Sequence, residues 1–115
     1  MPSPPLAPDD GPLDIEHLRR MTLGDDSLER EVLAMFSAQA VRLAGTLATL
    51  PADAGALAHT LKGSARAIGA FGVAAAAARL EALIQNGGDP ALALAELNDA
   101  VAQARSAVDA ILRRS

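Results

Sequence analysis

Cysteine is absent from this chain of 115 residues, and aromatic residues nearly so, with two Phe and no Trp or Tyr. The lack of cysteine excludes a disulfide scaffold, a Cys nucleophile, a thiolate zinc site and an iron–sulfur cluster. It also suits a reducing compartment, so we expect a cytoplasmic protein. A chain of this length can still bury one hydrophobic core without a disulfide or a structural metal, which predicts a single domain.

Long hydrophobic runs and clusters of basic residues are also missing. No apolar run reaches the roughly 18 residues that span a bilayer. Residues 1–11 contain two acids and no Lys or Arg, so we expect neither a signal peptide nor a membrane anchor. Ten basic residues stand against fourteen acidic ones, a net charge of -4. Without a Lys- or Arg-rich stretch, neither nucleic acid nor membrane is an expected partner.

Alanine and leucine are in excess, with 27 and 17 residues, and both are strong helix formers. The β-branched residues are few and scattered, which disfavours a sheet. This composition predicts an all-α fold. The alanine excess, together with nine Arg against a single Lys, also indicates a bacterial origin in a GC-rich genome.

Proline, glycine and apolar spacing divide the chain into a tail and five helices. Five of the seven prolines fall within residues 1–12, which we predict to be a flexible Pro-rich tail, with residues 13–115 forming the domain. A short helix is predicted from Asp14 to Met21. Four longer helices are predicted near residues 25–50, 52–68, 71–85 and 90–112. Short connections force neighbouring helices to lie antiparallel, so we expect an up-and-down four-helix bundle with a short additional N-terminal helix.

Some local details of these helices are also predicted. Asp25 or Asp26 can cap the second helix, and Asp26 with Glu29 has the spacing of a capping box. Asp89 and Pro90 have the pattern of an N-cap followed by the first helical residue. The five alanines at 74–78 are expected to let two helices pack closely. The core face of the second helix is predicted to carry Leu28, Val32, Phe36, Leu43, Leu47 and Leu50.

The third helix carries a histidine that points away from the core. At about 100° per residue, His59 lies about 200° from both Leu57 and Leu61, so its imidazole is expected in solvent. Glycine in an exposed helix interior costs about 1 kcal/mol relative to alanine, so Gly63 indicates that something approaches the backbone beside His59. The other residues of this outer face are Gly55, Lys62 and Arg66.

This outer face has the groups needed to hold a phosphoryl group. A neutral imidazole can attack phosphorus through one ring nitrogen when the other nitrogen carries the proton and is held. Lys62 and Arg66 are placed to offset the charge of a phosphoryl group on His59.

Strict spacing around this histidine extends further along the chain. The sequence reads HTLKGSA at residues 59–65, IGA at 68–70, Val73, and LE at 80–81. It resembles the H-x-L-K-G-S-A…G-A…L…L-E signature of histidine-containing phosphotransfer (HPt) domains. The surrounding helix pattern extends this resemblance over residues 14–112.

The resemblance implies a role for each residue of the signature. His59 is the phosphoacceptor and carries the group on the ring nitrogen distal to the backbone. Lys62 steadies the phosphoryl group, and Gly63 leaves room for the partner. Glu81, on the next helix, accepts a hydrogen bond from the other ring nitrogen and so fixes the tautomer. Arg66 has no firm family role and is a candidate contact to the phosphoryl group or the partner.

The function that the resemblance implies is a shuttle in a multistep two-component phosphorelay. The protein takes a phosphoryl group from the receiver-domain aspartate of a hybrid histidine kinase and delivers it to the receiver domain of a response regulator. It is then a phosphoryl carrier and not an enzyme, since no phosphate-binding Gly-rich loop follows a strand. No cofactor of its own is expected, because the receiver supplies Mg²⁺, and we expect a monomer.

Plainer interpretations stay open for each residue. His59 could be an ordinary surface histidine and Lys62 a solvated charge. Gly63 could relieve crowding between helices, and Glu81 could pair with one of three cations, Arg79, Arg66 or Lys62.

A second function is open for the whole chain. It could be a helical adaptor that binds a receiver or kinase domain without phosphotransfer. A phosphoacceptor domain of a kinase is disfavoured, because the chain begins at Met1 and leaves no room for a catalytic domain. A metal-binding bundle is not expected, because His17 and His59 both lack an acid three residues earlier. His17 is predicted to be a surface or packing residue.

Overall fold

The computed structural model describes residues 11–114, which form five helices and no strand. The all-helical prediction is therefore confirmed for this part of the chain. Apart from Gly11 and Pro12, the predicted tail lies outside the described residues. The helices are α1 (Ile15–Met21), α2 (Asp26–Leu47), α3 (Ala54–Ile68), α4 (Phe71–Asn86) and α5 (Ala91–Arg113).

Each of the four longer helices packs against two of the others. α3 packs against α2 and α4, α5 packs against α4 and α2, and α1 lies against α3. Alanine fills much of the space between them, and Ala58, Ala65 and Ala77 are completely buried. Small side chains let helix axes approach closely. The largest fully buried residues are Leu18, Leu33, Leu47, Leu61, Leu80, Leu97, Val73 and Val108.

The start of α2 differs from the predicted capping box. Asp25 is the N-cap, and its side chain accepts a hydrogen bond from the backbone N–H of Leu28 at 3.0 Å. The box of Asp26 with Glu29 is therefore wrong, because a cap at Asp25 places Leu28 at the third helical position. The Glu29 carboxylate instead accepts a long hydrogen bond from the Thr22 hydroxyl at 3.4 Å.

The predicted core face of α2 is right in its middle and wrong at its ends. Leu28 and Leu50 are exposed, whereas Leu33, which the predicted stripe omits, is fully buried. The helix ends at Leu47, short of Pro51, and Leu50 lies beyond it with a φ of 49°. Because α2 packs against both α3 and α5, its buried face is wider than a single stripe and is centred on different residues.

The start of α5 lies one residue later than predicted. Pro90 occupies the N-cap position and the helix begins at Ala91. The Asp89 carboxylate still accepts a hydrogen bond from the Ala91 N–H at 3.0 Å. Asp89 therefore satisfies a free helix amide, as expected, from one position further out.

The C-terminal end of α3 is hydrogen-bonded to the start of α1. Gly69 ends α3 in the left-handed conformation, with a φ of 89°, and its carbonyl accepts a hydrogen bond from the Asp14 N–H at 2.9 Å. A Cβ at Gly69 would lie 2.8 Å from the Asp14 carbonyl oxygen, so a side chain there would force α1 away. The His17 ring donates from Nε2 to the Ala67 carbonyl at 3.1 Å and lies edge-on to Phe71. His17 is thus a packing residue that holds α1 on α3.

Candidate functional site

His59 lies on the solvent side of α3. The same helix directs Ala58, Leu61 and Ala65 into the core, and none of the three is exposed. The rotation of about 100° per residue then leaves the His59 side chain outside, with 67% of its surface accessible. An imidazole exposed to this degree can be reached by another protein.

One nitrogen of the His59 ring is held by a carboxylate from α4. The Nδ1 atom of His59 lies 2.9 Å from the Oε2 atom of Glu81, whose side chain is 13% exposed. An ionised carboxylate only accepts hydrogen bonds, so Nδ1 must carry the proton. The neutral ring then has its free lone pair at Nε2. The contact with Glu81 therefore selects the tautomer that leaves the lone pair of the outer nitrogen, Nε2, free.

Lys62 is bound to the same carboxylate. Its Nζ atom lies 2.6 Å from the Oε1 atom of Glu81, and its side chain is only 18% exposed. This ammonium group holds the pKa of Glu81 below its ordinary value of 4.5; partial burial opposes the shift, and the hydrogen bond from His59 adds to it. Of the pairings left open for Glu81, the structure shows the one with Lys62, while Arg79 pairs with Glu96 at 3.1 Å.

The remaining residues of the outer face surround His59 without crowding it. Gly63 is exposed, and a Cβ added there would find no heavy atom within 4 Å. Crowding between helices therefore does not explain this glycine. A Cβ at Gly55 would be in ordinary contact with Ile84, at 3.7 Å. Arg66 is exposed, and its side chain forms no hydrogen bond or ion pair within residues 11–114.

A groove that the sequence analysis missed adjoins this site. It lies between α2 and α3, and its lining includes Met35, Gln39 and Arg42 from α2 and Ser64 and Ala67 from α3. The available signal was Met35, a large apolar residue outside the predicted core face. Its side chain is 68% exposed.

Residues 11–114 contain no group of three or more His, Cys, Asp or Glu side chains that could hold a metal ion. In the same range, no helix is both long and apolar enough to cross a membrane.

Comparisons with known proteins bear on the family and the fold of this chain. The family model of the Hpt domain matches residues 31–111, a range that includes His59, Lys62 and Glu81. The crystal structure of a rice protein assigned as a histidine-containing phosphotransfer protein has a similar fold, with a TM-score of 0.79 and 23% sequence identity. The similarity covers 90% of this chain and 81% of that one. No curated protein matches the chain in sequence.

Proposed function

This chain belongs to the Hpt domain family, and on that premise we propose that it carries a phosphoryl group on His59 between the receiver domains of a two-component phosphorelay. The donor is the receiver domain of a hybrid histidine kinase, and the acceptor is the receiver domain of a response regulator. The observation that carries this proposal is the exposed His59 ring, whose Nδ1 is held by Glu81 at 2.9 Å so that Nε2 is free.

The proposed architecture is an antiparallel up-and-down four-helix bundle of α2 to α5, with α1 as an additional helix and residues 13–115 as the domain. The closed sequence of contacts from α2 through α3, α4 and α5 back to α2 supports it. In this arrangement α3 has a helix on either side. Its remaining face, which carries His59, is the side that a partner can reach.

The transfer step uses the lone pair of Nε2. It forms a P–N bond to the phosphorus of the receiver's aspartyl phosphate, and the P–O bond to the aspartate breaks. The aspartate leaves as a carboxylate with the electron pair, and Nδ1 of His59 keeps its proton. The ring thereby gains a positive charge, which the ionised Glu81 offsets from 2.9 Å. Delivery to the second receiver is the reverse of this step.

Lys62 has two roles in this proposal. By donating to Glu81 it lowers the pKa of that carboxyl group and so favours the ionised form. An ammonium group has three donors, of which Glu81 accepts one, so Lys62 can also offset phosphoryl charge on His59 one turn away. Gly63 leaves room for the receiver, and Arg66 is a candidate contact to the phosphoryl group or to the receiver.

The receiver is proposed to supply the aspartate and Mg²⁺, while this chain needs no cofactor of its own. In this role the protein is a cytoplasmic phosphoryl carrier and not a kinase. We propose that it acts as a monomer.

Phosphotransfer profiling tests this function. Each hybrid-kinase receiver domain of the source genome is phosphorylated and mixed with the wild type, with His59→Gln and with His17→Gln. His17→Gln is the matched control, because it removes the other histidine, which packs against Ala67 and Phe71. We expect acid-labile, alkali-stable phosphate on the wild type and on His17→Gln, and none on His59→Gln. Binding to a receiver without transfer from any of them would overturn the proposal and favour a helical adaptor.

A further inference from the structure

The groove between α2 and α3, which we name the α2–α3 groove, is open and largely apolar. Val32, Phe36 and Ile68 line it together with Met35, whose side chain is 68% exposed. Its volume is about 570 Å³, within the range of pockets that hold a bound molecule. An exposed apolar surface of this kind is typical of a place where another segment binds.

The ten residues that precede the described part of the chain begin beside this groove. The Asp14 N–H donates to the Gly69 carbonyl at 2.9 Å, and Gly69 directly follows Ile68 of the groove. An extended chain keeps Asp10 within about 15 Å of Asp14 and lets residues 1–10 reach about 33 Å further. On α2 the groove runs from Val32 to Arg42, about 15 Å of helix. Residues 1–10, which we name the N-terminal segment, are therefore long enough to follow the whole groove.

The composition of the N-terminal segment suits a groove between two helices. It reads MPSPPLAPDD, with four prolines and with apolar side chains at Met1, Leu6 and Ala7. The backbone groups of α2 and α3 are bonded within their own helices, so an occupant finds few backbone partners there. Proline has no N–H to leave unpaired, and a Pro-rich segment is already extended before it binds. Binding in the groove therefore costs this segment little.

Charge fixes the end at which the segment would enter the groove. Its only acids, Asp9 and Asp10, are its last two residues. Arg66 is exposed, and its side chain forms no hydrogen bond or ion pair within residues 11–114. It directly precedes Ala67, which lines the groove, and lies about 4.5 Å of helix rise before Gly69. The two acids are thus within reach of Arg66, and Leu6 falls further along the groove.

We propose that the N-terminal segment binds in the α2–α3 groove and restricts access to His59. Leu6 packs against Met35, and the two acids pair with Arg66. Ser64, which lines the groove, is about 7.5 Å of helix rise from His59, and Arg66 shares its outer face. A weak contact is enough, because a covalently attached segment is present at an effective concentration of about millimolar. The contact is independent of the proposed function, whereas its effect on phosphotransfer rests on that function.

A spin label tests the contact in the full chain. Because the chain has no cysteine, Ser3→Cys provides a single attachment site for a nitroxide. In ¹⁵N spectra we expect the label to broaden the amide signals of Met35 and Ser64. The matched control is the groove between α2 and α5, where the signals of Val41 and Arg105 should stay sharp.

Two further spectra identify the occupant. Adding Leu6→Asp to the labelled chain should abolish the broadening in the α2–α3 groove. Equal broadening in both grooves, or broadening that Leu6→Asp leaves unchanged, would overturn the proposal. A labelled chain without ¹⁵N is also mixed with ¹⁵N-labelled wild type. Broadening of the groove signals in that mixture would assign the groove to a second copy of the chain and would also overturn the proposal.

Phosphotransfer tests the restriction of access. The variants are Leu6→Asp and the double variant Asp9→Asn with Asp10→Asn; Ser3→Asp is the matched control, because it adds the same charge as Leu6→Asp and keeps Leu6. If the segment fills the groove in about half to nine-tenths of the molecules, releasing it lowers the receiver concentration for half-maximal transfer by about two- to tenfold. The rate at saturating receiver should not change, and Ser3→Asp should match the wild type.

Failure of this inference is distinguishable from failure of the proposed function. If the wild type accepts phosphate, His59→Gln does not, and the released variants transfer like the wild type, the restriction of access is wrong and the shuttle stands. If no receiver phosphorylates the wild type, the shuttle fails, and the spin-label spectra still decide whether the segment binds in the groove.

Discussion

Replacing Glu81 by Gln removes one negative charge from the site and almost no volume. In the native site the two carboxylate oxygens accept from Nδ1 of His59 at 2.9 Å and from Nζ of Lys62 at 2.6 Å. A Gln side chain has one acceptor oxygen, and its NH₂ group would face a donor at the other position. It can keep both partners only if both donate to that one oxygen, and it cannot offset the positive charge that the imidazole gains on phosphorylation.

The expected loss follows from the lost negative charge and from the lost second acceptor atom. At metal-binding histidines, removing the group that orients the ring typically costs about 10- to 100-fold in metal affinity or activity, and we take that range as the guide here. We expect the rate of phosphotransfer to Glu81→Gln at saturating phosphorylated receiver to fall by about that factor, measured by rapid-quench single turnover. Glu96→Gln is the matched control, because Glu96 pairs with Arg79 at 3.1 Å. Equal saturating rates for the wild type and Glu81→Gln would refute the reasoning.

The same carboxylate gives a pH dependence of stability. Because Lys62 and His59 lower the pKa of Glu81 below 4.5 in the folded protein, the ionised form is favoured by folding. The stabilisation is fully present above the ordinary pKa and is lost as the pH falls through the lowered folded value. In urea unfolding, the free-energy difference between the wild type and Glu81→Gln should therefore be largest near neutral pH and shrink below about pH 4.5. A difference that stays constant down to pH 3 would contradict this.

Substitutions at three further positions, with Leu92→Ala as a control, test the fold and the clearance around the site. Gly63→Ala should raise the unfolding free energy in urea by up to about 1 kcal/mol, because a Cβ there meets nothing within 4 Å. Gly63→Phe should slow transfer from the receiver. Equal transfer to Gly63→Phe and to the wild type would contradict the clearance role. Gly69→Ala should lower the unfolding free energy by about 2 kcal/mol or more, because its φ is 89° and its Cβ would lie 2.8 Å from the carbonyl oxygen of Asp14, the N-cap of α1. An unchanged value would show that α1 can shift without cost. Leu61→Ala should lower the unfolding free energy by about 2–5 kcal/mol. Leu92→Ala, at an exposed side chain, should lower it by no more than about 0.5 kcal/mol. Similar losses for the two variants would contradict the described core.

Much of the fold follows from local signals in the sequence. The three- and four-residue apolar spacing, together with Gly69, Pro51 and the glycines after Asn86, predicts five helices close to their observed bounds. The resemblance to HPt domains is confirmed by the family model over residues 31–111. These predictions succeed because helix periodicity and helix-breaking residues act within a few positions of the chain.

The details that failed depend on how helices are rotated against one another. Leu33 is buried and Leu28 exposed because α2 packs on two helices at once, which a single apolar stripe does not represent. The partner of Glu81 was left open among three cations for the same reason. Only the packing of α4 on α3 brings its carboxylate to Lys62 and His59 and leaves Arg79 to Glu96.

The most direct test of the account is the position of the phosphoryl group, read by NMR on protein labelled with ¹⁵N-histidine. Before transfer, we expect His59 to show its proton on Nδ1 and an unprotonated Nε2, as the contact with Glu81 requires. After incubation with the phosphorylated receiver, phosphorus coupling should appear at Nε2 of His59. Coupling at Nδ1 of His59 or at His17, or phosphorylated protein with no coupling to either histidine, would contradict the central claim.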